Sequence, residues 1–361
     1  MSIGTPAIAQ KLLRRLAGLD EQAGQQHSSL MDVQLATAEL AGNAALEWPA
    51  IPATLIQELA QRLTKMIKTS SIMNQTQPIL RVALGNTLAR LGDPRPGVID
   101  IDRMQFCYIP PGPFWMGDSK ESHPNSSLIY GYWVARYPLT TAHFRTFVEA
   151  SGHEPADRDS LRGIANHPVV RVSWHDALAC CRWLTERWQQ KGWLPSDWQV
   201  TLPSEIEWEK AARGGLEIPS QPLKARPDRL HEPDHLSLMA NPASQRRFPW
   251  GDDIDSKRVN YVDTKIGATN PIGCFPEGGG PYECQEMSGN IWEWTRSHYE
   301  AYSYNPQKRW EDLTASDDIL RVLRGGAFLS NGVSVRCASR SGDNPSKGYG
   351  DLGFRLVVSP V

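Results

Sequence analysis

The stretches "MSGNIWEWT" (287–295), "RVLRGGAF" (321–328) and "LGFRLV" (352–357) carry the pattern on which the fold class rests. Each sets a short apolar burst beside a glycine, the punctuation of short strands joined by loops. Working outward, the same pattern begins at Met104 and recurs around PPGPF (110–114), YPLT (137–140) and EGGGPY (277–282). Two helices are predicted within it. In SWHDALACCRWLTERWQQKG (173–192), Ser173 serves as N-cap and Ala177, Cys180, Cys181 and Leu184 share a face; in SEIEWEKAARGG (204–215), Ser204 and Glu207 have capping-box spacing. Gly192 and Gly214 stop them.

Upstream the composition changes. The first ninety residues are rich in Ala, Leu and Gln and hold one of the 13 Trp. In TLIQELAQRLTKMIK (54–68), Leu55, Ile56, Leu59, Leu63, Met66 and Ile67 recur at three- and four-residue spacings, the stripe of an amphipathic helix. Similar stripes run through 7–18, 30–46 and 78–91. The chain therefore divides into a helical module (1–92), a linker (93–103) marked by Gly92, Pro94 and Pro96, and a loop-rich domain (104–361). A module of this size buries only a modest core, so it is expected to pack on an effector partner or on another copy of the chain, with docking against its own second domain as the alternative.

With 38 basic and 40 acidic residues the net charge is −2, which disfavours a nucleic-acid partner recognised through bulk charge. No run approaches the ~20 apolar residues of a membrane span. The amino-terminal stretch has Lys11, Arg14 and Arg15 inside its apolar segment, and the six cysteines form no CxxC pair, so a cytoplasmic protein with reduced thiols is expected.

Ten landmarks in order across about 104–358, from IPPGPFWMGD (109–118) through FPWGDD (248–253), VNYVDT (259–264) and NPIGCFP (270–276) to LGFRLV, resemble the formylglycine-generating-enzyme (sulfatase-modifying factor) family. The resemblance implies an α+β architecture, a C-type-lectin-like fold of that family's variety, here preceded by a small all-α module. It also implies structural Ca²⁺, held by Glu286, Glu293 and the carbonyls of Gly289 and Ile291, since hard cations take oxygen ligands from tight turns. A second, weaker site would use Asn260 with the carbonyls of Tyr261 and Ile266, and there Thr264 stands where a carboxylate is expected.

The family's enzymes oxidise a substrate cysteine with two copper-binding cysteines after the RGG element. Here Ser330 takes the first cysteine's place and the second has no counterpart; a hydroxyl does not replace a thiolate on Cu(I), so no copper is expected. Cys337 reads as a structural thiol. Residues 1–95 hold a single histidine, His27, too few for the three-histidine iron site of the related sulfoxide synthases, and His231 and His235 in HEPDH read as solvated loop because of Pro233.

The 23 residues from 329 to 351, LSNGVSVRCASRSGDNPSKGYGD, are mostly Ser, Gly, Asn and Asp. They resemble the variable region of diversity-generating retroelement proteins, in which randomised AAC codons yield such residues but never Lys, Glu, Gln, Met or Trp; only Lys347 falls in that excluded set. The expected ligand-binding residues are Leu329, Ser330, Asn331, Val333, Ser334, Ser339, Ser341, Gly342, Asp343, Asn344, Lys347, Tyr349 and Asp351, with Arg336, Ala338, Arg340 and Pro345 as fixed scaffold. Small polar residues with Tyr make adaptable contacts at low entropic cost. The chain therefore reads as a non-catalytic display protein for a protein or small-molecule ligand, the alternatives being a thiol oxidoreductase or a scaffold of the same family. Arg324 and Arg355 are expected to tie the terminal strands to buried carboxylates.

Overall fold

The computed structural model describes residues 5–20, 31–118, 123–125, 128–300, 311–314 and 316–360. The described residues before 93 form α1 (Thr5–Leu16), α2 (Met31–Leu46), α3 (Ala53–Lys68), α4 (Ser70–Gln75) and α5 (Pro78–Arg90). On α3 the sequence stripe becomes the buried face, with Leu55, Leu59, Leu63, Met66 and Ile67 inside. The short α4 has too few residues to show a period. It is parted from α3 by Thr69, whose backbone is extended.

The helices do not close their core alone. Cys274 and Phe275 of the second domain belong to the same apolar cluster as Leu59, Leu63 and Leu88. Arg81, fully buried on α5, donates to the carbonyls of Thr76 and Lys257 and lies 5.5 Å from the centre of the Phe275 ring. Asn166 donates to both the Gly85 carbonyl and the Asp93 carboxylate, at 2.9 Å each. Asp93 also pairs with Arg95, which reaches the Ile272 carbonyl at 2.7 Å. Residues 93–103, expected as a linker, thus begin with a buried polar joint, and the module is docked on its own chain.

Gly85 permits that docking. A Cβ there would lie 2.7 Å from Cγ of Pro271 and 3.2 Å from Sγ of Cys274, a clash with a rigid ring. Gly85→Leu should lower stability by about 1–3 kcal/mol through overpacking, although leucine is the better helix former. A melting temperature that stays level or rises would show that α5 is not pressed against Pro271.

Among the described residues the second domain shows thirteen strands: β1 (Phe106–Ile109), β2 (Phe114–Met116), β3 (His123–Asn125), β4 (Tyr132–Ala135), β5 (Trp198–Thr201), β6 (Glu217–Pro219), β7 (Lys224–Ala225), β8 (Leu238–Ala240), β9 (Trp292–His298), β10 (Arg321–Arg324), β11 (Arg340–Asp343), β12 (Leu352–Phe354) and β13 (Val357–Pro360). An antiparallel sheet runs β5-β13-β4-β1-β7, and a second sheet runs β11-β10-β9-β12, with β12 parallel to β9. The pairs β2-β3 and β6-β8 stand apart.

Three helices accompany the sheets, α6 (Thr141–Ser151), α7 (Trp174–Gln190) and α8 (Glu205–Arg213). The last two carry capping boxes: Ser204 with Glu207 as expected, and Ser173, expected as an N-cap, with Asp176. Helix α6 corrects the expectation of two: Thr140 caps it, but His143 fills the position that Glu or Gln occupies in the recognisable signature. Trp133, Trp174, Trp188, Trp208 and Trp294 are wholly buried. Their indole N–H groups are not stranded; Trp174 donates to Thr295 O and Trp294 to Val172 O. Among the described residues no helix is long and apolar enough to cross a membrane.

Candidate ligand-binding surface

All nine residues of α8 are buried, and its three glutamates receive three arginines of the second sheet. Arg296 of β9 donates to Glu207 at 2.6 Å. Arg324 of β10 bonds Glu205 at 3.1 Å and Glu209 at 2.5 Å, and Arg340 of β11 makes two 2.7 Å bonds to the two oxygens of Glu205. Arg355 forks onto Glu293 at 2.6 and 2.7 Å. Buried charges are tolerated only when paired and hydrogen-bonded, so these contacts fix where each strand can lie. Arg324 and Arg355 hold the terminal strands as the sequence led us to expect.

From this frame the tail departs at Gly325 and Gly326, with φ of 98° and 71°, in the left-handed region that favours glycine. It loops out, returns as the edge strand β11, loops again, and ends as β12 at the opposite edge of the same sheet. The positions expected as scaffold are anchored. Arg336 pairs with Asp118 at 2.7 Å, Arg340 with Glu205, and Ala338 and Pro345 are buried.

The expected ligand residues divide into two groups. Leu329, Val333, Lys347 and Tyr349 are exposed; the first is 64% accessible and the second 59%. Others tie the loop to itself. Ser330 Oγ accepts from Ala327 N, Asn331 Oδ1 from the amides of Val333 and Ser334, and Ser339 donates to Val333 O. Asp343 accepts from Asn344 N, while Asn344 donates to Asp317 O. Ser334 and Ser341 are half-buried, and the half-buried Asp351 lends its carbonyl to Trp292 N. Burial raises the carboxyl pKa of Asp351.

At the half-buried Gly342 a Cβ would meet the Tyr299 ring at 2.3 Å, so the ring leaves this position no room for a side chain. Arg340 also lies under that ring, 4.8 Å from its centre. Tyr299 escaped the sequence reading because it precedes Gly342 by 43 residues and lies outside the tail.

At the place of the family's first copper cysteine, the Ser330 hydroxyl serves a turn. All six cysteines are buried and free, and burial pushes the Cys337 thiol up to about 12, opposite to what a metal-binding thiolate needs. His231 and His235 lie in an exposed loop without helical spacing. His27 lies outside the described residues.

The expected cation ligands fit poorly. Both Glu293 oxygens are taken by Arg355, one of them also by Trp208 Nε1 at 2.7 Å. Glu286 accepts from Gly273 N and Asn290 Nδ2 at 2.7 and 2.8 Å, and burial pushes its carboxyl up to about 7. The Gly289 carbonyl accepts from Ile291 N at 2.8 Å. Glu286 and Glu293, close in sequence, therefore serve different donors, and the grouping with Gly289 and Ile291 is corrected. At the second place the Thr264 hydroxyl lies 3.0 Å from Asn260 Oδ1 and 2.6 Å from Tyr261 O, a proton donor between the oxygens that a cation would join. The Ile266 side chain packs at the helical module's core. Among the described residues no three His, Cys, Asp or Glu side chains gather as a metal site.

A family model described as the sulfatase-modifying factor enzyme 1-like domain matches residues 100–360. Formylglycine-generating enzyme of Mus musculus is 29% identical over 264 residues, covering 67% of this chain and 55% of the relative. Inactive C-alpha-formylglycine-generating enzyme 2 of Bos taurus is 31% identical over 210 residues, 56% of this chain and 54% of the relative. Among solved structures, Treponema denticola variable protein 1 superposes with a TM-score of 0.51 at 17% identity, covering 71% of this chain and 95% of that one; this likeness concerns the fold. The chain spans between about a third and two thirds of the length of the curated relatives it matches.

Proposed function

The chain belongs to the sulfatase-modifying factor enzyme 1-like domain family, and from that membership we propose that it is a non-catalytic member which binds a ligand through the surface of residues 329–351, as the diversified variable protein of a diversity-generating retroelement. The fold is α+β and C-type-lectin-like, and the family holds both enzymes and a relative named as inactive. One observation carries the reading. Along the tail, exposed side chains free of internal hydrogen bonds, such as Leu329, Val333 and Tyr349, alternate with residues clamped to the frame, Arg336 to Asp118 and Arg340 to Glu205.

Such an arrangement separates what is varied from what must stay fixed. Replacing Leu329 or Val333 with Ala should change stability by no more than about 0.5 kcal/mol each, and replacing Tyr349 by little more, because their side chains are largely exposed and the hydrogen bonds of Val333 and Tyr349 run through the backbone, which Ala keeps. Urea unfolding of each variant checks this, and a loss above 2 kcal/mol would make the position structural. The genomic test is a near-copy of the codons for residues 327–352, differing chiefly at adenines, beside a reverse transcriptase gene. Its absence removes diversification from the proposal. Copper-dependent oxygen uptake with a cysteine peptide would overturn the non-catalytic reading, since thiol oxidation needs a ligand set that Ser330 and the buried Cys337 do not supply.

A further inference from the structure

Where the helical module meets the second domain lies a cleft of about 750 Å³, lined from the module by Lys68 and from the other side by Arg136, Tyr137, Arg246, Trp250 and Gln285. None of residues 329–351 lines it. Its charge is unbalanced. Of the lining cations, Arg95 is paired with Asp93 and Arg258 with Asp255, and of the lining acids Glu283 is paired with Lys224. Lys68, Arg136 and Arg246 then face one unpaired carboxylate, Glu277, among the described residues, which leaves two positive charges over.

The polar groups are unbalanced as well. Arg136 gives Nη1 to Gln105 Oε1 at 3.0 Å and lies 5.4 Å from the centre of the Tyr137 ring, but its buried Nε–H has no acceptor. Gln285 donates Nε2 to Pro276 O at 3.1 Å, while its buried Oε1 has no donor. A native fold satisfies nearly all such atoms, and an unmatched pair beside an open cleft marks what a ligand would complete. The Nε edge of a guanidinium is half of the fork that holds phosphate or carboxylate oxygens. Burial also raises the Tyr137 pKa, so its hydroxyl stays a donor.

We propose that this cleft binds a small molecule carrying a phosphate monoester and a hydroxyl group. The phosphate dianion matches the two surplus charges and accepts from the unpartnered Nε–H of Arg136, from Lys68 and from Tyr137. The ligand hydroxyl donates to Gln285. Sites at the junction of two units are common places for small ligands, and this one requires the module to be docked.

The test is thermal shift and calorimetry on the full chain with ribose 5-phosphate, inorganic phosphate, ribose and succinate. Ribose 5-phosphate should raise the melting temperature in a saturable way, at least tenfold more tightly than inorganic phosphate, with ribose inert. Lys68→Glu, at an exposed position, should weaken binding at least tenfold, and Arg136→Gln should abolish it, each with the unliganded melting temperature as its folding control. No shift with either phosphate, or an equal shift in Lys68→Glu, overturns the proposal. Equal affinity for phosphate and its ester removes Gln285 from the site and overturns the ester assignment. Succinate binding as tightly as the ester would assign the cleft to dicarboxylates instead. All these outcomes leave the display reading of the tail untouched.

Discussion

Glu293→Gln should destabilise the protein by about 3–5 kcal/mol, the cost of removing one partner from a buried ion pair. Both oxygens of Glu293 are held by Arg355, whose guanidinium is wholly buried and also reaches the carbonyls of Ala135, Gln285 and Glu286. Since Glu293 lies on β9 and Ala135 on β4, this arginine joins the two sheets. The amide of Gln could still accept from Trp208 and from one N–H of Arg355, but the positive charge would stay in the core without its paired carboxylate. Urea unfolding should therefore show the same large loss in calcium and in EDTA. A loss below 1 kcal/mol would mean that Arg355 finds another counter-charge, and recovery with calcium would return Glu293 to a cation site.

Asp93→Asn is the second large effect, expected at about 3 kcal/mol on the same grounds. Asp93 is 2% exposed and accepts from Arg95 and Asn166, which in turn hold Ile272 O and Gly85 O. Without its charge, Arg95 is left buried beside the docked helices. The strain falls on the joint, so limited proteolysis should cut the variant within residues 93–103 faster than the parent, releasing the second domain. Equal protection in both proteins would show that the apolar contacts around Phe275 hold the module alone.

The parts of the fold legible in the sequence are those whose causes are local. Helices α7 and α8 announce themselves through a cap, a partner three residues on and a terminal glycine; α6 hides because His143 replaces the usual acid. The order of landmarks across 104–358 told the fold through family likeness, but it could not tell which way a carboxylate points. Glu286 and Glu293 are seven residues apart and serve different donors, because Glu293 answers to Arg355, 62 positions later. The tail was legible as a surface by its composition. Its clamps, Asp118 and Glu205, come from positions more than a hundred residues upstream, and the Tyr299 ring that forbids a side chain at Gly342 lies beyond any local pattern. The docking of the module depends on Gly85 meeting Pro271, a contact no periodicity encodes.

The place of β13 between β4 and β5 bears on the order of folding. It pairs residues 357–360 with 198–201 and 133–134, so the larger sheet cannot close until the chain has passed through the whole tail. Pairings this distant in sequence form slowly, since loop closure must precede the contacts that reward it. During synthesis, β4 and β5 therefore wait with open edges while residues 329–351 emerge. A tail sequence can thus fail in a way that no equilibrium contact reveals, by occupying one of those edges before β13 arrives. The polar, glycine-rich character of the tail keeps it a poor competitor for that place, which makes composition here a condition of kinetic access to the fold.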